Sequence, residues 1–141
     1  MRVRSWRQSA GSIGAAAALL VGLAVPIAAF GQGKADVYYS KTYTACMKVA
    51  VSTLEMRDCQ SAEYDAWDKT LNQVYQTLMA SRAPAAQTQL RDDERAWLAR
   101  TQQKCDHAGD AEAGGTLQPI EIEACYLDEH ILRTVYLRGL H

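Results

Sequence analysis

The stretch 52–81, STLEMRDCQSAEYDAWDKTLNQVYQTLMAS, decides the fold of this chain. It opens with Ser52-Thr53-Leu54-Glu55, a capping box in which the serine hydroxyl and the glutamate carboxylate satisfy free backbone donors at a helix start. Beyond it no proline or glycine occurs until Pro84. One long helix is therefore expected from about Thr53 to Ser81. Tyr64, Trp67, Leu71, Val74 and Leu78 recur at three- and four-residue steps and give it a wide apolar face.

The neighbouring segments follow the same logic. Pro84 suits the first turn of a second helix, whose buried side would carry Leu90, Trp97 and Cys105. The sequence HAGDAEAGGT at 107–116 is a loop marked by Gly109, Gly114 and Gly115. A third main helix is expected from near Pro119, with Glu121 and Glu123 at its positive end and Arg133 and Arg138 towards its negative end. Leu127, Ile131 and Val135 form its apolar stripe. Upstream, YYSKTYTACMKVA at 38–50 predicts a short helix that Cys46 ties back to the long one. No period-two alternation is sustained, so the expected fold is all-α: about three main helices plus a short N-terminal one.

Residues 1–31 are set apart from this domain. Arg2, Arg4 and Arg7 carry all the charge of the first 33 residues, and AAAALLVGLAVPIAA at 15–29 is apolar. A positive flank, an apolar stretch and small residues at its end make an export signal, with cleavage expected after Gly31. An uncleaved anchor is the alternative, but Gly11, Gly14, Gly22 and Pro26 weaken it as a permanent helix. The arginines are never adjacent, so no twin-arginine signal is read. The domain then spans 32–141, periplasmic or secreted. It keeps 12 basic against 16 acidic residues, a net charge of about −4. That acidity disfavours nucleic acid and anionic membrane as partners.

All four cysteines, Cys46, Cys59, Cys105 and Cys125, lie in the exported part. An even count in an oxidising compartment reads as two disulfides, with three possible pairings. Cys46–Cys59 and Cys105–Cys125 are favoured, because each joins neighbouring segments across one turn. Cys105-x-His107 and Cys125-x4-His130 raise the question of zinc, but the spacings match no common zinc module and export exposes thiols to oxidation. No metal or cofactor is expected.

Several motifs, taken in order, carry a resemblance. They are EMRDC at 55–59, Asp68-x-x-Leu71-Asn72-x-x-Tyr75, Arg95-Ala96-Trp97, Cys105, Gly114-Gly115-Thr116, Cys125 and Arg133. Over roughly residues 46–137 the set resembles the LprI-like family, small exported proteins named after a lysozyme inhibitor. The resemblance implies a helical periplasmic or cell-envelope domain with two disulfides and no known enzymatic activity. Two departures stand out: Thr101 occupies the place of a usual arginine, and a threonine common soon after the last cysteine is missing near Glu129 and His130.

Candidate functional residues fall into two groups. Asp68, Asn72 and Tyr75 share one helix stripe, and the expectation is a polar cluster at the core edge, with Asp68 pairing Arg133 across helices; a partner-binding edge is the sharper alternative. Arg91-Asp92-Asp93-Glu94-Arg95 reads as a solvated helix face, whose acids Asp92, Asp93 and Glu94 are a candidate contact for a basic enzyme. Trp67 and Trp97 are expected in the core, and His107, His130 and His141 on the surface. No nucleophile–base pair, carboxylate dyad or phosphate loop is evident, so a hydrolase ranks last. The leading function is a binding module, lysozyme-inhibitor-like, acting on a basic muramidase or another envelope protein. A structural or stress-related envelope protein is the alternative.

Overall fold

The computed structural model describes residues 35–140, and the export-signal reading of residues 1–31 lies outside them. A 3-10 turn, Ala35–Tyr38, leads into α1, Lys41–Val49. Then come α2, Thr53–Ser81, α3, Pro84–Cys105, and α4, Gln118–Arg138. Among the described residues there is no strand. The all-α architecture is as the sequence predicts.

The long helix starts and stops where its chemistry dictates. Ser52 Oγ accepts from the Glu55 N–H at 3.2 Å, and Glu55 Oε2 accepts from the Ser52 N–H at 2.9 Å, which completes the capping box. Arg82 leaves the helix in an extended conformation, and Pro84 opens α3 two residues later. At about 1.5 Å per residue α2 is roughly 44 Å long, enough to brace every other helix.

Helix α4 is the central element, and α2 packs along it while α3 flanks it. Its buried residues are Ile120, Leu127, His130, Ile131, Arg133, Thr134 and Leu137, a wider arc than the predicted stripe. Val135 is only half-buried, because the contact wraps onto the neighbouring face instead. Leu127 and Ile131 meet Cys59, Tyr43 and Ala35 in one core cluster. Leu137 joins Leu71, Leu78, Leu90 and Trp97 in a second cluster. Each such aliphatic side chain contributes about 1.5–3 kcal/mol by leaving water.

The disulfides are Cys46–Cys59 and Cys105–Cys125, the pairing across single turns. They join residues 13 and 20 positions apart, and loops of that size contribute about 3 kcal/mol each by restricting the unfolded chain. The zinc arrangement is closed to this protein, since both of its cysteines are oxidised. In the 107–116 loop, Asp110–Glu112 forms a 3-10 turn. Gly114 there has φ +78°, and a Cβ on Gly109 would sit 2.6 Å from the Gln118 carbonyl oxygen. Those two glycines let the loop fold tightly onto the start of α4.

Candidate functional site

Arg133 projects from the buried side of α4 towards α3. Its Nε donates to Glu94 Oε2 at 2.9 Å, and its Nη2 donates to Glu94 Oε2 and Asp93 Oδ2 at 2.7 Å each. Its guanidinium also lies 5.5 Å from the Trp97 ring centroid and 5.0 Å from that of Tyr136. The expected Asp68–Arg133 pair is therefore corrected: Arg133 pairs with α3, not α2. The "solvated face" reading is corrected with it. Glu94 is only 17% exposed and Asp93 40%, because α4 lies close enough to bring a cation to them. Asp92 does face solvent, with Arg95 3.5 Å away.

Asp68 has a different neighbour. Its Oδ2 accepts from Asn72 Nδ2 at 3.0 Å, and its Oδ1 lies 3.6 Å from His130 Nε2. His130 is 6% exposed, so its expected surface position is corrected too. Its Nδ1 is 2.9 Å from the Tyr126 carbonyl oxygen, which can only accept, so Nδ1 carries a proton. In the neutral ring Nε2 then accepts from the Tyr64 hydroxyl at 2.9 Å. The Trp97 ring sits edge-on to this imidazole, 5.3 Å between centroids. One polar seam thus crosses α2, α4 and α3.

Of the second group only Glu94 joins Asp68, Asn72 and Tyr75, at an open groove of about 360 Å³ between α2 and α3; Asp92 and Asp93 do not line it. Asp68, Asn72 and Tyr75 line one wall, and Arg91, Glu94 and Leu98 the other. Both departures from the family pattern are internal. Thr101 is buried, with Oγ1 3.5 Å from Glu129 Oε2, while Lys104 supplies the cation for Glu129 at 2.7 Å.

A second polar centre was not foreseen. Glu63 is 5% exposed, yet its carboxylate accepts from the Ser40 N–H at 2.8 Å, Ser40 Oγ at 2.6 Å and Trp67 Nε1 at 3.0 Å. Ser40 is the N-cap of α1 and its Oγ also accepts from the Tyr43 N–H, so that hydroxyl is occupied structurally. Nearby, the Tyr39 hydroxyl donates to Asp128 Oδ1 at 2.5 Å. Burial, reinforced by that carboxylate, pushes the Tyr39 phenol above its ordinary range, and burial also raises Asp128. An acid four residues before Trp67 on the apolar stripe was the available sign of Glu63.

A third feature is a groove of about 630 Å³ between the first halves of α2 and α4. Leu54, Arg57, Asp58, Tyr64, Glu123 and Tyr126 are among its lining residues. Arg57 Nη2 and Glu123 Oε1 close across it at 2.6 Å. No group of three or more histidine, cysteine, aspartate or glutamate side chains is placed to hold a metal among the described residues.

These features define a class: a small, disulfide-stapled helical module whose polar clusters tie helices together beneath open grooves. The chain belongs to the lysozyme inhibitor LprI family, whose family model matches residues 46–137. An uncharacterized protein of Rhizobium meliloti (strain 1021) is 27% identical over 108 residues, covering 67% of this chain and 77% of that protein. No solved structure matches the chain.

Proposed function

We propose that this protein is an exported binding module that inhibits a basic lysozyme-type muramidase by stoichiometric occlusion, without chemistry of its own. The observation that carries the reading is the family match over residues 46–137. The disulfides and the N-terminal Arg-flanked apolar segment support a periplasmic or secreted site of action. N-terminal sequencing of the exported form is expected to read Gln32, and an intact Met1 in the membrane fraction would contradict it.

The chemistry of the seam supports binding over catalysis. Ser40, Glu63, His130 and Arg133 are buried or half-buried and engaged with protein partners. In this reading Asp68, Asn72, Tyr75, Asp93, Glu94 and Arg133 hold the helices in register. Asp92 and the other exposed acids add to a negative field that speeds encounter with a cationic enzyme. The test adds the oxidised exported protein in excess to a cell-wall lysis reaction run by a purified c-type lysozyme at low salt. Lysis is expected to stop; undiminished lysis would move the protein to the envelope-interaction class.

A further inference from the structure

The turn between α1 and α2 carries three aliphatic side chains in water: Val49 is 73%, Val51 89% and Leu54 66% exposed. Exposed aliphatics scattered singly need no explanation, but these sit within six residues on one tip. That tip is held with unusual care. Cys46–Cys59 closes its base, and the Ala50 N–H donates to the Cys46 carbonyl at 3.1 Å. Glu55 Oε2 accepts from both the Val51 and Ser52 N–H groups, at 2.7 and 2.9 Å. The hydrogen bond from Val51, then that from Ser52, holds the Glu55 carboxyl below its usual range, so the clamp is ionised at neutral pH. A rigid apolar projection loses little conformational entropy on binding, which is what a docking anchor requires.

The surface beside it has a definite charge. Leu54 also lines the groove between α2 and α4, together with Asp58 and Glu123. Between Cys105 and Asp128 the chain carries Asp106, Asp110, Glu112, Glu121 and Glu123 and no lysine or arginine. Within the groove Arg57 is taken up by Glu123 at 2.6 Å, which leaves Asp58 without a salt-bridge partner among the described residues, and Asp106 adjoins the groove by accepting from the Tyr126 hydroxyl at 2.9 Å. Asp58 and the acidic residues beside the groove favour a cationic occupant. An anionic lipid surface meets the wrong sign here.

We propose that Val49, Val51 and Leu54 form a preformed wedge which, with the adjoining α2–α4 groove, docks a basic protein partner, the wedge entering an apolar-lined cleft while cationic side chains meet Asp58 and the acidic rim. The inference rests on the muramidase reading and gives it a contact surface. That surface includes Arg57 and Asp58 of the 55–59 motif, which line the groove beside Leu54, and it is distinct from the Arg133 seam.

The test measures binding of the oxidised exported protein to a purified c-type lysozyme by calorimetry, comparing wild type with Val51→Ser/Leu54→Gln, Asp58→Lys and Leu98→Gln. All altered side chains except Asp58 are exposed aliphatics, and unchanged circular dichroism and melting confirm folding. The wedge variant is expected to bind at least ten-fold more weakly, Asp58→Lys to bind more weakly than wild type, and Leu98→Gln to bind as wild type. Undiminished binding by the wedge variant, or a loss confined to Leu98→Gln, would overturn the wedge while leaving the muramidase reading intact. Failure of the wild type to bind would overturn both. A dimer of the protein alone that the wedge variant dissociates, or wedge-dependent binding to anionic phosphatidylglycerol vesicles, would assign the patch to another occupant and overturn the proposal.

Discussion

Glu63 on α2 accepts both the backbone N–H and the hydroxyl of Ser40, at 2.8 and 2.6 Å, so one buried carboxylate fixes where α1 begins. The same carboxylate takes the Trp67 indole N–H. Glu63→Ala leaves these donors without their charged acceptor, and hydrogen bonds to charged groups contribute about 1.5–3 kcal/mol each. A loss of roughly 3 kcal/mol is expected in denaturant unfolding. Ser40→Ala, which removes the cap and the hydroxyl's bond to Glu63 but keeps the backbone and indole donors, should cost less, about 2 kcal/mol. Equal losses for the two variants would contradict this account of the contact.

Arg133 offers the sharpest stability test of the α3–α4 seam. Its side chain is 5% exposed and its partners Asp93 and Glu94 lie within 2.7 Å. Removing Arg133 leaves Glu94 partly buried without its cation and Asp93 partly in water, so the loss falls at the low end of the range of about 3–5 kcal/mol for a broken buried pair. Arg133→Ala should fall in that range, and Arg133→Lys should not restore it, since an ammonium cannot reproduce the fork that spans two carboxylates. Charge reversal at Asp92, which faces solvent, should leave melting nearly unchanged.

The helix boundaries were legible because local chemistry sets them. Ser52 and Glu55 declare the start of α2, and Pro84 declares the start of α3. The cysteine pairing was legible because each bridge spans one turn. The Arg133 partner was not, because it depends on how α3 rotates about α4, which no local signal encodes. His130 was misplaced for a related reason: α4 is buried on two sides, so His130, Arg133 and Thr134 interrupt the apolar stripe that marks a singly buried helix. Of the candidate site, the motif residues were legible as a group, and the groove they share with Glu94 emerged only from packing.

The disulfides should carry a large share of the resistance to unfolding. Replacing Cys46 or Cys105 by serine is expected to cost about 2–5 kcal/mol, the usual loss for a small secreted domain. Non-reducing peptide mapping should recover Cys46–Cys59 and Cys105–Cys125 fragments, and a Cys59–Cys105 fragment would contradict the topology.

Alkaline titration should reveal four phenols held above their ordinary range. Tyr39, Tyr43, Tyr64 and Tyr126 all have raised values, in each case chiefly through burial. A value raised in the folded state means that the folded state holds its proton longer than the unfolded chain. Their contribution is therefore complete below the unfolded value of about 10 and declines as pH rises through the folded values. Ultraviolet titration should show these tyrosines ionising later than the tyrosines of the unfolded chain. Asp128 follows the same sign at lower pH: burial raises it, so its ionisation lowers stability as pH rises from about 4. Asp128→Asn keeps an acceptor for Tyr39 and should flatten that segment of the pH profile.

The central claim is stoichiometric binding of a basic muramidase. Calorimetric titration of the oxidised exported protein into a purified c-type lysozyme at low salt tests it most directly. A saturable one-to-one complex is expected, with affinity falling as added salt shortens the Debye length from about 10 Å at 0.1 M towards about 3 Å at 1 M. No heat of binding at any salt concentration, with the enzyme still fully active, would contradict the account.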